Sequence, residues 1–203
     1  MMPRGLLIVI SGPSGVGKNT VISNLFGQLP NLCYSISATT RAPRETEVDG
    51  ENYFFLTEAE FLRRVAANEF LEWAKVYQHY YGTLKSYVIG LVETGKDVIL
   101  DVDVQGGAAI KKVLPEAVLI FLAPPSLGEL KKRLSDRCTE RPEEIELRLK
   151  YLVTEFECIP QYDFLVINDQ IDLTCQKIKD IIGAEKCRVA RQEPGFLRKM
   201  LGE

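Results

Sequence analysis

Five apolar runs punctuate the chain, at Leu6–Ser11, Leu32–Ser37, Val98–Val102, Val118–Leu122 and Phe164–Ile167. Most carry no polar interruption, as expected of strands buried on both faces of a parallel sheet. Between them the spacing turns helical. Val21, Ile22, Leu25 and Phe26 share one face of a helix that should end near Gly27, with Pro30 blocking extension. Ser86 to Thr94 reads as a helix closed by Gly95, and Ala108 to Val113 as another. Ser126-Leu127-Gly128-Glu129 has the form of a capping box and opens a further helix. A long one begins at Pro142, places Ile145, Leu149, Leu152, Val153 and Phe156 on one face, and stops before Pro160. Ile171 to about Arg191 is the last. Strands alternating with helices predict an α/β fold, a five-stranded parallel core sheet with helices on both faces.

One stretch, about Ser37 to Thr83, interrupts that rhythm. Ala38–Gly50 is polar and aperiodic, and Tyr53–Leu56 reads as a short strand. Thr57-Glu58-Ala59-Glu60 is a second capping box, opening a helix with Phe61, Leu62 and Val65 on one face that ends near Asn68. Phe70–Tyr77 alternates as a strand would, which places Glu72 on the face of Phe70 and Val76, where an acid needs a partner. His79-Tyr80-Tyr81-Gly82-Thr83 reads as a turn. The segment is expected to be an inserted subdomain.

Composition narrows the function. With 203 residues and a formal net charge of −3, the chain suits one domain with inserts and has no overall charge for holding nucleic acid or an anionic membrane. Cys33, Cys138, Cys158, Cys175 and Cys187 are odd in number and lack a CxxC pair, which fits inert thiols in a reducing compartment. His79 is the sole histidine and reads as a surface residue. No apolar run approaches the roughly 20 residues of a membrane span, and the first strand follows Met-Met-Pro-Arg-Gly directly, without the pattern of a signal peptide. A cytoplasmic protein is expected; the oligomeric state is not legible.

The chemistry starts at Gly12-Pro13-Ser14-Gly15-Val16-Gly17-Lys18-Asn19-Thr20. A glycine-rich loop between a buried strand and a helix cradles phosphate with its N–H groups, and Lys18 would reach the outer phosphates of a nucleotide. In the strict motif a Ser or Thr follows the lysine and its hydroxyl coordinates Mg²⁺; here Asn19 follows, with Thr20 one place late. Ligands of such sheets bind beyond the carboxyl ends of the strands, so this loop, Asp101, Asp103 and Asn168 should share one rim. Phosphoryl transfer needs positive charge, which Arg41 and Arg44 or the group Arg133, Arg137, Arg141 and Arg148 could supply. From spacing alone the second group reads equally well as a solvated helix face. Guanine presents an N1–H and an N2 amino group that one carboxylate, such as Glu72, could accept, beside an O6 that Ser37 or Thr83 could donate to. Adenine would leave those groups unpaired. Trp73 reads as core packing beside Glu72, and Glu45, Glu47 and Asp49 as a solvated loop.

Together, Ser37-Ala38-Thr39-Thr40-Arg41-Ala42-Pro43-Arg44, Gly50-Glu51-Asn52-Tyr53-Phe54-Phe55, Glu69-Phe70-Leu71-Glu72-Trp73-Ala74, Tyr80-Tyr81-Gly82-Thr83 and Ile99-Leu100-Asp101-Val102-Asp103-Val104-Gln105-Gly106 resemble the guanylate kinases, in the same order and up to about Ala184. The resemblance implies transfer of a phosphoryl group from ATP, with Mg²⁺, to GMP in a site closed by a lid. It implies a core (1–36, 84–125 and 150–203), a GMP-binding insert (37–83) and a helical lid (126–149). Arg41, Arg44, Tyr53 and Tyr81 would then hold the GMP phosphate, and Ser37, Glu72, Thr83 and Asp103 the guanine, with Gly82 also among the GMP-binding residues. Lys18 and the rest of the loop would hold the ATP phosphates. Asn168 and Asp169 would lie near the adenine, while Arg133, Arg137 and Arg148 close over the transferring group. Thr20 and Asp101 are the candidates for the metal, through water. Asn19, Cys138 and Arg141-Pro142 depart from the family's usual residues. Two alternatives are a scaffold-type guanylate-kinase-like module that binds phosphopeptides and a kinase for another monophosphate; dGMP fits the same residues.

Overall fold

The computed structural model describes residues 4–135, 152–192 and 195. Its main sheet holds β1 (Leu7–Ser11), β2 (Leu32–Tyr34), β7 (Asp97–Asp101), β8 (Val118–Ala123) and β9 (Phe164–Ile167) in the order β2-β7-β1-β8-β9. All four pairings are parallel. Alternation along β1 splits the core. Ile8 and Ile10 face α1 (Lys18–Phe26) and α7 (Ile171–Lys186), with Val21, Ile22, Leu25, Ile178 and Ile182. Leu7 and Val9 face the other layer, where Val88 and Val92 of α3 (Lys85–Glu93) and Ile110 of α4 (Val104–Val113) pack. The expected doubly covered parallel sheet is therefore present. The second predicted strand is shorter than the run Leu32–Ser37, because the chain leaves the sheet after Tyr34. The last helix also stops earlier than expected, at Lys186, with a separate 3₁₀ turn at Val189–Arg191.

The inserted segment forms a second, mixed sheet, β4-β3-β6-β5, from β3 (Ala38–Thr39), β4 (Phe54–Phe55), β5 (Phe70–Val76) and β6 (His79–Leu84). β3 and β4 run parallel and the other pairs antiparallel. Two expectations change here. The residues read as a turn, His79 to Thr83, are strand β6, and the polar stretch after Ser37 begins with strand β3. α2 (Glu58–Ala66) covers the sheet, and Phe61 stacks on Phe70 with centroids 4.4 Å apart.

Both capping boxes form by half. Thr57 Oγ1 accepts the Glu60 N–H and Ser126 Oγ accepts the Glu129 N–H, which starts α2 and α5 (Leu127–Ser135). The two glutamates turn outward instead, Glu60 to Arg63 and Arg64, Glu129 to Arg133. Residues 152–157 are helical (α6), and Leu152 and Phe156 pack against Leu130 and Leu134 of α5. The part of the long helix expected from Pro142 onward, with Cys138 and Arg141, lies outside the described residues.

A bulge positions the insert's functional face. β5 and β6 pair as Val76↔His79 through Glu72↔Thr83, but the next pair is Phe70↔Leu84. Leu71 is the extra residue, and an extra residue reverses which face follows. Phe70 stays in the insert's own core, and Leu71, only 2% exposed, enters the core layer beneath α4. Glu72 then faces the opposite side from Phe70, together with Thr83 and Tyr81. The plain alternation along Phe70–Tyr77 misassigned Glu72 for this reason, though Val76 does share its face. Trp73 is likewise not packed beside Glu72: it is 46% exposed, on the other face, against Tyr80.

Candidate active site

α1 opens at Lys18 behind Gly17, which takes a left-handed φ of 100° and supplies no side-chain cap. The N–H groups of the first turn are left for an outside acceptor. Lys18 Nζ donates to the Gly12 carbonyl at 2.6 Å. Gly12–Gly15 and Gly17–Asn19 line an open cleft of about 430 Å³ with Asp101, Val102, Asp103 and Glu155. Burial raises the Asp101 carboxyl above its usual range, and Lys18 opposes that rise. Val16 turns inward instead, its side chain wholly buried in the core. Thr20 is exposed and does not line the cleft; its carbonyl accepts Asn24 Nδ2.

Glu155 is the cleft residue that sequence reasoning missed. Burial raises its carboxyl, Lys18 lowers it, and Asp103 adds to the rise. The available signal was an acid beside the apolar stripe of Leu152 and Phe156. Among the described residues no group of three or more His, Cys, Asp and Glu side chains could hold a metal by itself. One strand-end carboxylate, Asp101, and the Asn19 amide beside a phosphate cradle do fit a cation that arrives on the nucleotide and keeps most of its water, as Mg²⁺ does.

The rear of the loop is tied to two other elements. Asn168, 3% exposed, donates from Nδ2 to the Val16 carbonyl at 2.7 Å, and its Oδ1 lies 3.0 Å from Thr174 Oγ1. Arg133 places Nη1 3.3 Å from the same Val16 carbonyl and 3.1 Å from the Asn168 carbonyl, while its Nε donates to Glu129. Two residues expected around ATP thus brace the loop from behind. Asp169 is exposed at the turn that follows. Arg137 and Arg148 lie outside the described residues.

The insert contributes to two clusters. In the first, Arg41 donates from Nη2 to Glu47 Oε1 and from Nη1 to the Ala42 carbonyl, both at 2.7 Å. Its guanidinium lies 5.5 Å from the Tyr53 ring centroid, and the Tyr53 and Tyr81 rings meet edge-on. Glu47 also accepts the Arg44 N–H, and the Arg41 hydrogen bond holds its carboxyl below the usual range. Asp49 accepts the Phe55 N–H. Glu47 is thus a structural part of a folded turn, whereas Glu45 and Asp49 are exposed, as expected of a solvated loop.

The second cluster is Glu72, Thr83 and Asp103. Thr83, 1% exposed, donates from Oγ1 to Glu72 Oε1 at 2.6 Å. Burial raises the Glu72 carboxyl, the Thr83 hydrogen bond lowers it, and nearby Asp103 raises it again. Asp103 caps α4 by accepting the Gly106 N–H and also lines the phosphate cleft, so it joins the two regions. Ser37, just before β3, accepts the Phe54 N–H with its carbonyl. Gly82 is on the face of Phe70 and Trp73, opposite the Glu72 side chain: a Cβ there would come within 2.9 Å of both and lie 2.8 Å from the Glu72 carbonyl oxygen.

Comparison with known proteins agrees with this geometry. The family model described as guanylate kinase matches residues 4–185. A guanylate kinase of Caldanaerobacter subterraneus subsp. tengcongensis is 51% identical over 195 residues, covering 96% of this chain and 95% of that protein. The guanylate kinase of Bacillus subtilis is 48% identical over 202 residues, covering 99% and 98%. The crystal structure of guanylate kinase from Anaplasma phagocytophilum superimposes with a TM-score of 0.74 at 32% identity, covering 100% of this chain and 96% of that one.

Proposed function

The chain belongs to the guanylate kinase family, and from that premise we propose how its residues divide the work of phosphorylating GMP to GDP with ATP. The observation that carries the reading is the Thr83–Glu72–Asp103 cluster, set beside a cleft that starts at a phosphate loop. The Glu72 carboxylate accepts the N1–H and N2 amino group of guanine, with Asp103 close by, while Ser37 faces O6; the Thr83 hydroxyl, beside Gly82, gives its one proton to Glu72 and holds that carboxylate in place. Adenine offers a donor where guanine has O6 and lacks the N2 group, so it strands buried polar atoms. Nothing in this cluster discriminates against dGMP.

The acceptor phosphate lies on Arg41, Arg44, Tyr53 and Tyr81. The donor triphosphate lies on Gly12–Thr20, where the Lys18 ammonium exchanges the neutral Gly12 carbonyl for phosphate oxygens, a stronger charge-assisted partner. We assign the metal that accompanies ATP as Mg²⁺, which Asp101 would hold through water beside Asn19; Thr20, expected to share it, lies outside the cleft lining. When bound, it neutralises charge on the phosphate oxygens. The adenine end lies toward the exposed Asp169, with the buried Asn168 behind it. An oxygen of the GMP phosphate forms the new P–O bond to the γ-phosphorus as the bond to ADP breaks, and ADP leaves with the electron pair. No protein nucleophile is needed. Arg133 braces the loop from α5, and Arg137 and Arg148, outside the described residues, keep the roles that the resemblance implies. Cys33, Cys158, Cys175 and Cys187 are free thiols, and among the described residues no helix is long and apolar enough to cross a membrane; we place the reaction in the cytoplasm.

The test is ADP release from ATP with GMP, dGMP, AMP and UMP supplied in turn. Release with the guanine nucleotides alone is expected. Equal release with AMP would overturn the base assignment, and release with none would point to a binding module.

A further inference from the structure

We propose that Asn168 is a positioning residue for the phosphate loop, turning the Val16–Gly17 peptide so that the Gly17 N–H faces the donor phosphates. The proposal rests on the reading of Gly12–Thr20 as the triphosphate cradle. A carbonyl can only accept, so the Asn168 amide must present its nitrogen to Val16 and its oxygen to Thr174. The C=O and N–H of one trans peptide point in opposite directions. Holding the Val16 carbonyl toward Asn168, away from the cleft, therefore aims the Gly17 N–H at the cleft, which Gly17 lines.

Three further observations fit that role. Asn168 is almost wholly buried, so its amide is not presented to a nucleotide base at the surface. A Cβ on Gly17 would lie 2.7 Å from Asn168 Nδ2, so the glycine and the amide occupy matched positions. Arg133 places Nη1 near the same Val16 carbonyl and near the backbone carbonyl of Asn168, so α5 reinforces the orientation from a second side. Thr174 Oγ1 also lies 2.9 Å from the Gln170 carbonyl, so its single proton is shared and its support for Asn168 is the weaker link.

Inorganic tripolyphosphate separates this role from contact with adenine, because it has the phosphates and no base. Its affinity, with those of ATP and GMP, would be measured calorimetrically for the parent protein, Asn168→Ala, Thr174→Val and Lys18→Ala. Asn168→Ala should weaken tripolyphosphate and ATP by a similar factor, roughly tenfold, the scale expected when the Val16 carbonyl loses the nearer of its two donors and keeps only the longer Arg133 contact. Thr174→Val should weaken both in the same direction by about threefold or less. GMP affinity should stay within about twofold in both, which reports an intact fold. In the parent protein the Gly17 amide proton should shift downfield on adding tripolyphosphate, and that shift should shrink in Asn168→Ala. Unchanged tripolyphosphate affinity in Asn168→Ala alongside weakened ATP would overturn the proposal in favour of a base contact. Should Asn168→Ala lose GMP binding as well, Thr174→Val decides by the same comparison. Unchanged tripolyphosphate affinity in Lys18→Ala would instead overturn the cradle reading, and the proposal with it.

Discussion

The phosphate loop hangs from β1, every residue of which is buried, whereas on the insert Arg41, Arg44 and Tyr53 lie in the loops flanking β3 and β4, strands of two residues each, and Glu72, Tyr81 and Thr83 lie on the β5–β6 pair. β1 lies between two parallel neighbours and two helical layers. The insert has a small aromatic core around Phe61 and an ion-paired turn around Arg41 and Glu47. The donor side is thus held mainly by apolar burial and the acceptor side largely by polar pairs. A cradle for triphosphate can be built from backbone N–H groups, which any well-packed strand and helix present. Distinguishing one base from another needs side-chain acids and hydroxyls, and these must be desolvated and paired at a cost in stability.

That contrast predicts unlike responses to mutation. The largest effect belongs to the donor side. Lys18→Ala should lower kcat on the order of 10³-fold, since it removes a charge that acts on the transferring group. GMP affinity should stay near the parent value, because no acceptor-side residue depends on Lys18. A comparable loss of GMP affinity would show that the two halves are one cooperative unit.

Glu72→Gln comes next. It leaves one acceptor for two guanine donors, and KM for GMP should rise on the order of 100-fold with KM for ATP little changed. The same change should raise the melting temperature. Burial holds the Glu72 carboxyl above its usual range, so the folded state binds this proton more tightly than the unfolded chain. Its contribution is fully present below the ordinary glutamate range and is lost as pH rises through the raised value, so at neutral pH the ionised group opposes folding. Guanine recognition has the opposite sign: KM for GMP should climb as pH falls through that raised value. A Glu72→Gln variant that is less stable at neutral pH would contradict the account of the cluster.

The two halves also differ in how far they could be read from sequence. Leu6–Ser11, Val98–Val102 and Val118–Leu122 were legible because a strand covered on both faces has no polar positions to confuse the pattern. β6 was not. Tyr80-Tyr81-Gly82-Thr83 looks like a turn because it contains glycine, yet Gly82 is there because Phe70 and Trp73 leave no room for a Cβ. The bulge at Leu71 carries no residue signature at all, and it alone decides which way Glu72 faces. The Arg41–Glu47 pair closes a turn and so obeys no period. The Asn168–Val16 bond joins residues 152 positions apart, which neither spacing nor motif could reveal. Local pattern reports burial; it does not report which buried polar atoms meet.

Glu47→Gln sharpens the acceptor side at a smaller scale. A neutral amide can still accept from Arg41, but it no longer supplies the charge that holds the guanidinium against Tyr53. KM for GMP should rise roughly fivefold with kcat within about twofold, since the phosphate itself can recruit Arg41 once bound. A fall in kcat larger than the rise in KM would mean that Glu47 acts on the transferring group and not on acceptor binding.

The smallest effect is expected where the sequence departs most visibly from the strict loop motif. Asn19 is exposed at the mouth of the cleft, and Thr20 lies outside its lining. A cation that arrives on ATP is held chiefly by phosphate oxygens and water, so one protein ligand more or less changes little. Asn19→Ser should therefore shift KM for ATP by less than about threefold, with kcat close to the parent value. The concentration of Mg²⁺ needed for half-maximal rate is the sharper measurement, because a hydroxyl beside Lys18 should lower it slightly and an unused position should leave it alone. A rise in that concentration would mean that the Asn19 amide is itself a ligand, and that this loop has replaced the usual hydroxyl instead of doing without it.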